Sequence, residues 1–202
     1  MPEYAVPTPK RRRGRPPGGE SRARERIIAA AVEEFGEFGY NGATMRAIAA
    51  RAGVDSALLH HYFGTKADLF TETIGAPMRP DVDIPALLDG PADDLGERIV
   101  RYALQAWERP EARKRGVLLL RAGLGNRLAT PLLSEFLQRE LFSKIAARLD
   151  TPDSALRASL VASQVAGLLI TRHVLRLPAI AEASVDELVA RVAPTVQRYL
   201  LE

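Results

Sequence analysis

The chain has 202 residues, 47% of them apolar and 26% charged, with a net charge of +3 and no cysteine. That is enough apolar material for one large domain or two small ones, and it excludes disulfides, thiolate metal sites and cysteine nucleophiles. The sequence predicts neither a bilayer-spanning run of roughly 20 apolar residues nor a signal peptide, so a cytoplasmic protein without membrane contact is expected.

Residues 1–21 carry five prolines in their first 17 positions and form the expected disordered arm. The arm contains Lys10, Arg11, Arg12, Arg13 and Arg15. Residues 1–66 hold 11 Lys/Arg against 7 Asp/Glu, whereas residues 67–202 hold 17 against 18. The positive excess therefore lies at the N-terminal end, as phosphate contact requires; a solvated basic tail is the alternative. Arg13-Gly14-Arg15-Pro16 resembles an AT-hook, which lies in the narrow minor groove of A·T-rich DNA. Arginine is drawn there by the enhanced negative potential. A generic basic tail that raises affinity without choosing sequence stands beside that reading.

Residues 22–38 read as a helix with Ile27, Ala31, Phe35 and Phe38 on its buried stripe and Gly39 ending it. Asn41-Gly42 supplies a turn, and Thr44 is the expected N-cap of the next helix. Ile48, Ala49 and Ala52 share one face of that helix, and Gly53 can adopt the left-handed conformation that stops it. Val54 is an apolar plug, Asp55 caps a following helix, and Leu59 and Phe63 point to its core side. Helix, glycine turn and helix over residues 44–63 is a helix-turn-helix pattern, whose second helix enters the DNA major groove. Thr65 with Asp68 reads as a capping-box variant opening a helix over 66–74.

Residues 75–91 hold Gly75, Pro77, Pro80, Pro85, Gly90 and Pro91. They read as a loop with at most one short turn, a domain boundary and a pocket mouth. Further helices are expected over 92–108, over 110–124, and from Thr130-Pro131. In the last of these Leu133, Leu137, Leu141, Ile145 and Leu149 recur every four residues. Thr151-Pro152 opens another, to about Arg176. Ser184 with Glu187 is a capping box for the final helix to Leu201, which Pro194 is expected to kink. No alternating strand pattern appears, so the predicted class is all-α.

The pattern Ile27-Ile28-Ala29-Ala30-Ala31, Phe35, Gly39-Tyr40, Ala43-Thr44, Ile48-Ala49, Ala52-Gly53-Val54, Leu59, Tyr62-Phe63, Lys66 and Leu69-Phe70 resembles the DNA-binding domain of the TetR family of bacterial transcriptional regulators. The resemblance covers about a quarter of the chain. It implies that the basic arm over 1–21 precedes a three-helix DNA-binding domain over 22–75. A larger helical domain over 76–202 would bind a ligand and dimerise. It further implies that Arg46, Ser56, Ala57 and Leu58 face base edges, with Thr44, Tyr62 and Lys66 also at the DNA. His60 stands where the family usually has a phosphate-contacting tyrosine. Arg46 suits guanine O6 and N7, and Leu58 suits a thymine methyl. Arg13 and Arg15 are the minor-groove candidates.

In the larger domain Trp107, Arg121, Gln164 and His173 are candidate ligand contacts on otherwise apolar walls; ordinary packing or surface roles are the alternative for each. Ser159, Ser163, Gly167 and Thr171, flanked by Ala158, Ala162 and Ala166, form a small-residue stripe. It suits close approach of either a dimer partner or a helix of the same subunit. His60-His61 point about 100° apart on a helix and chelate poorly, so no metal is expected. No cofactor motif and no catalytic motif is present. The implied function is a dimeric, ligand-released repressor of a palindromic operator, not an enzyme. A ligand-independent architectural DNA-binding protein is the alternative.

Overall fold

The computed structural model describes residues 19–125, 129–149 and 151–201, and among these every regular element is helical. The basic arm's Arg13 and Arg15 lie outside the described residues. Helix α1 (Gly19–Gly42) begins within the stretch expected to be arm, and buries Ala23, Ile27, Ala30, Ala31 and Phe35. Phe38, expected on that stripe, is 50% exposed. Gly39 is the cause: its φ of 73° breaks the helical path, and the next turn buries Tyr40 instead. Asn41-Gly42 thus closes α1 rather than forming a separate turn.

Helices α2 (Met45–Ala52), α3 (Ser56–Phe63) and α4 (Lys66–Ile74) follow, each capped as the sequence predicts. Thr44 Oγ1 accepts the Ala47 N–H at 3.1 Å, and Asp55 accepts the Ala57 N–H at 2.7 Å. Gly53 ends α2 with φ 62°. Thr65 and Asp68 exchange both bonds of a capping box.

The segment expected to be a loop contains α5 (Pro80–Leu88). Pro80 occupies the first helical position, where a missing N–H costs nothing, and Asp83 accepts the Arg79 N–H at 2.5 Å. A 3-10 turn (Ala92–Asp94) leads into α6 (Leu95–Gln105), and α7 is Pro110–Gly125. Helix α8 (Ala129–Leu137) continues through a π-turn (Gln138–Phe142) into α9 (Ser143–Leu149). A strict four-residue spacing drifts about 40° per step around an α-helix. The π-turn uses that drift: Leu133, Leu137 and Leu141 pack on one core, Ile145 and Leu149 on another.

Helix α10 (Ser154–Leu169) runs into a second π-turn (Ile170–Val174), followed by α11 (Pro178–Ala181) and α12 (Val185–Leu201). The Ser184–Glu187 capping box is present, and α12 runs continuously through Pro194. The first core joins α1–α4 with Phe136 of α8; the second joins α6, α9, α10 and α12. The DNA-binding unit is therefore completed by a side chain from beyond the expected boundary at 75. Against the expectation of no span, Ser154–Val174 is long and apolar enough by composition to cross a membrane, with mean hydropathy 1.3. Its packing against α6, α9 and α12, and its Arg157, Gln164 and Arg172, belong to a bundle helix.

His173 is buried in the second π-turn and stacks on Trp107, ring centroids 5.2 Å apart. Its Nε2 has no hydrogen-bond partner. Burial, then the nearby Arg172 and Arg113, pull its pKa down to about 4. An unfolded histidine protonates near pH 6.5. The contribution of neutral His173 to stability is therefore complete above about 6.5 and lost as pH falls toward about 4. Urea midpoints at pH 7, 5.5 and 4.5 should fall more steeply for the wild type than for His173→Phe. Parallel curves would contradict this assignment.

Candidate nucleic-acid interface and adjoining cleft

The DNA-facing surface follows from what the core takes. Ile48, Ala49 and Ala52 of α2 and Leu59 and Phe63 of α3 are buried, which turns the opposite faces outward. Arg51 ties the outer side of α2 to α1 through ion pairs with Glu33, Glu34 and Glu37. Arg46 is exposed and forms no hydrogen bond or ion pair among the described residues. Thr44, Ala57 and His60 are exposed, and Ser56 and Tyr62 are half-buried. Thr44 spends its oxygen lone pair on the α2 cap and keeps its O–H to donate. Leu58, expected as a surface residue, is also half-buried, so less of it is offered to DNA.

Lys66 also turns inward. Its Nζ donates to the Tyr40 carbonyl at 2.8 Å and the Ala43 carbonyl at 3.0 Å, and lies 4.7 Å from the centre of the Tyr40 ring. Burial pulls the ammonium below the usual lysine range. Two of its three protons thus hold the end of α1 to the start of α4, which leaves one for phosphate. This inward turn was not visible in the spacing, because the carbonyls it caps lie over 20 residues away.

A second set of contacts, also missed by sequence reasoning, joins α1 to α8. Tyr40 donates its hydroxyl to Glu140 at 2.8 Å, while its ring packs against Phe35, Phe70 and Phe136. Glu135 accepts the Asn41 N–H at 3.0 Å, and Arg139 donates to Asn41 Oδ1 at 3.3 Å. Burial pushes the Glu140 carboxyl up, yet Lys144 and the Tyr40 hydroxyl outweigh it and hold the group below its ordinary value. The polar end of α1 and the π-turn of the larger domain therefore form one clasp.

A cleft of about 1150 Å3 opens between the end of α3 with α4 on one side and α6 with α7 on the other. The segment from Gly75 to Arg79 and Asp81 and Asp83 of α5 form its floor. Phe63, Met78 and Tyr102 supply apolar surface, and the Tyr102 hydroxyl donates to Asp83 at 2.6 Å. The expectation that 75–91 borders a pocket agrees with this placement. The expected ligand contacts do not line it. Trp107 and His173 pack on each other, and the outer edge of the indole leaves no room for a β-carbon at Gly116. Arg121 is exposed on α7 and Gln164 half-buried on α10, and neither reaches the cleft.

Residues 27–73 match the family profile described as bacterial regulatory proteins, tetR family, and residues 93–200 match the tetracyclin repressor-like C-terminal domain. The chain belongs to the TetR family. The TetR-family relatives include the HTH-type transcriptional regulator BetI of Agrobacterium fabrum, 33% identical over 180 residues, covering 85% of this chain and 86% of that one. The HTH-type transcriptional dual regulator CecR of Shigella flexneri is 35% identical over 135 residues, 62% of this chain and 54% of that one. Among solved structures, a TetR-family regulator from Streptomyces coelicolor A3 is 32% identical, with 93% and 98% of the chains covered and a TM-score of 0.49. NalD of Pseudomonas aeruginosa shares the TetR fold at 18% identity, with a TM-score of 0.52 and 91% and 98% covered. The chain is thus a helix-turn-helix, DNA-binding transcriptional regulator of this family.

Proposed function

We propose that this protein is a cytoplasmic homodimeric repressor that binds a palindromic operator through α3 and leaves it when a small molecule occupies the cleft. The observation that carries the reading is the outward face of the helix-turn-helix, where Arg46 has no partner among the described residues and Ala57 and His60 are exposed. Arg46 reads a base, and Ser56, Ala57 and Leu58 complete the base-facing set. Thr44, His60, Tyr62 and the third Lys66 proton serve the phosphates.

Support for the dimer comes from α10. Ser159, Ser163, Ala166 and Gly167 are exposed in the single chain, and nothing lies within 4 Å of a β-carbon placed at Gly167. A mid-helix glycine costs about 1 kcal/mol against alanine, with no return inside this subunit. Ala158 packs inward, so the alanine row divides between the subunit core and the surface. Leu156, 61% exposed, lies three residues before Ser159 on the same helix and awaits cover. An effector wedged into the cleft presses α4 away from α6 and α7. The Tyr40–Glu140 clasp carries the change to α1, and with it the spacing of the two recognition helices.

Arg46→Ala tests the base contact. It is expected to weaken specific binding by about 1–3 kcal/mol and relax preference at one base per half-site. Equal weakening on specific and random duplexes would contradict a base contact. Lys66→Met should weaken all duplexes alike and also lower the melting temperature, because it uncaps α1. For the arm, Arg13→Ala/Arg15→Ala should lose more affinity than Arg11→Ala/Arg12→Ala, and only on operators with A·T-rich flanks. Equal losses whatever the flank would make the arm a generic basic tail.

A further inference from the structure

We propose that operator binding is linked to proton uptake by His60, whose ring donates to a DNA phosphate only as the imidazolium. The inference rests on reading α3 as the recognition helix. His60 lies one turn beyond Ser56 on the outward face, at the end of α3 where a helix lying in the groove meets the backbone again.

The ring is not free to choose its tautomer. His60 Nδ1 lies 2.9 Å from the Gly64 carbonyl oxygen, and a carbonyl only accepts, so Nδ1 carries the hydrogen. The Gly64 N–H in turn donates to the His60 carbonyl at 2.9 Å, which fixes the same corner from the other side. Nε2 of the neutral ring is left with a lone pair. Phosphate oxygens also only accept, so the neutral ring sets lone pair against lone pair. Protonation places an N–H and a positive charge at Nε2 and makes a charge-assisted bond possible. A tyrosine hydroxyl or an amide at this position would donate at every pH; this histidine donates conditionally.

The cleft that His60 borders is lined by charged and titratable groups of both signs. His61 and Tyr62 share α3, and Asp68 and Glu72 project from α4. Arg79, Asp81 and Asp83 come from the floor of the cleft, and Arg109, Glu111 and Arg115 from its far wall. The α-amino group of the chain also titrates within the range of interest.

The test uses the full chain and a labelled duplex carrying its selected operator, at constant ionic strength, with affinity read by fluorescence anisotropy from pH 5.5 to 8.5. Two copies of His60 meet each operator, so wild-type affinity is expected to fall about 10- to 100-fold across that range, one charge-assisted hydrogen bond per half-site. His61→Gln should keep the slope. His60→Gln, whose amide donates throughout, should bind with little pH dependence, and His60→Ala should stay near the weak, high-pH level at every pH. Circular dichroism at each pH confirms that all four proteins are folded. A flat wild-type profile, or a slope that survives in His60→Ala, overturns the proton link while leaving operator recognition intact. A wild type that selects no operator at any pH overturns the recognition-helix reading as well.

Discussion

Gly167→Glu is expected to yield a folded monomer that binds a palindromic operator about 100-fold or more weakly than the wild type. Within one subunit there is room for the new side chain, since beyond its own helix backbone no atom of the described residues lies within 4 Å of the β-carbon. Helix propensity improves, because glycine is the poorest helix former after proline. The intrachain effect is therefore neutral or slightly stabilising. In the proposed dimer the same change would separate two close-packed helices and bury an unpaired carboxylate, which is strongly unfavourable. Sedimentation should show the monomer, and the melting temperature should lose its dependence on protein concentration. A folded variant that remains dimeric would move the interface away from the α10 stripe.

Gly96→Ala is expected to destabilise the larger domain by about 2–3 kcal/mol. Gly96 lies where α6 packs closely against α12. A β-carbon there would lie 2.7 Å from the Gln197 nitrogen, 2.9 Å from the Ala193 carbonyl oxygen and 2.9 Å from the Gln197 α-carbon. These are backbone atoms that cannot rotate aside, so the two helices must part. Parting them also strains the bonds that Gln197 makes to the Gly96 N–H at 2.6 Å and the Ala92 carbonyl at 2.8 Å. For a chain of this size the melting temperature should drop by roughly 5–10 °C. Gly36→Ala is the control: it sits mid-helix on α1 with nothing within 4 Å, and should stabilise by up to about 1 kcal/mol. Equal effects at the two glycines would contradict the close α6–α12 contact.

These two glycines also show where sequence reading stops. Gly53, Thr44, Asp55, the Thr65–Asp68 box and the Ser184–Glu187 box were legible because each acts within four residues of itself. The helix-turn-helix followed from them. Helix α5 was hidden because prolines read as breakers, although Pro80 stands at the one helical position that favours it. Phe38 had the right spacing for the core, but the positive φ at Gly39 redirects the chain and gives that place to Tyr40. The partners of Tyr40 and Asn41 lie near residue 140, so no local pattern reveals them. Trp107 and His173 had the chemistry of ligand contacts. In the fold they pack on each other, and the cleft opens elsewhere, between α3–α4 and α6–α7.

The proposed role of α3 can be tested with no operator in hand. Full-length protein is used to select duplexes from a random-sequence library, and the stoichiometry on the enriched DNA is measured by native mass spectrometry. The predicted result is a two-fold symmetric motif whose half-sites are centred about 10 base pairs, or a multiple of that, apart, bound by an even number of protomers. Arg46→Ala should select a motif relaxed at one position in each half. Enrichment of A·T content alone, with no symmetric motif and no response to Arg46→Ala, would contradict sequence reading by the helix-turn-helix.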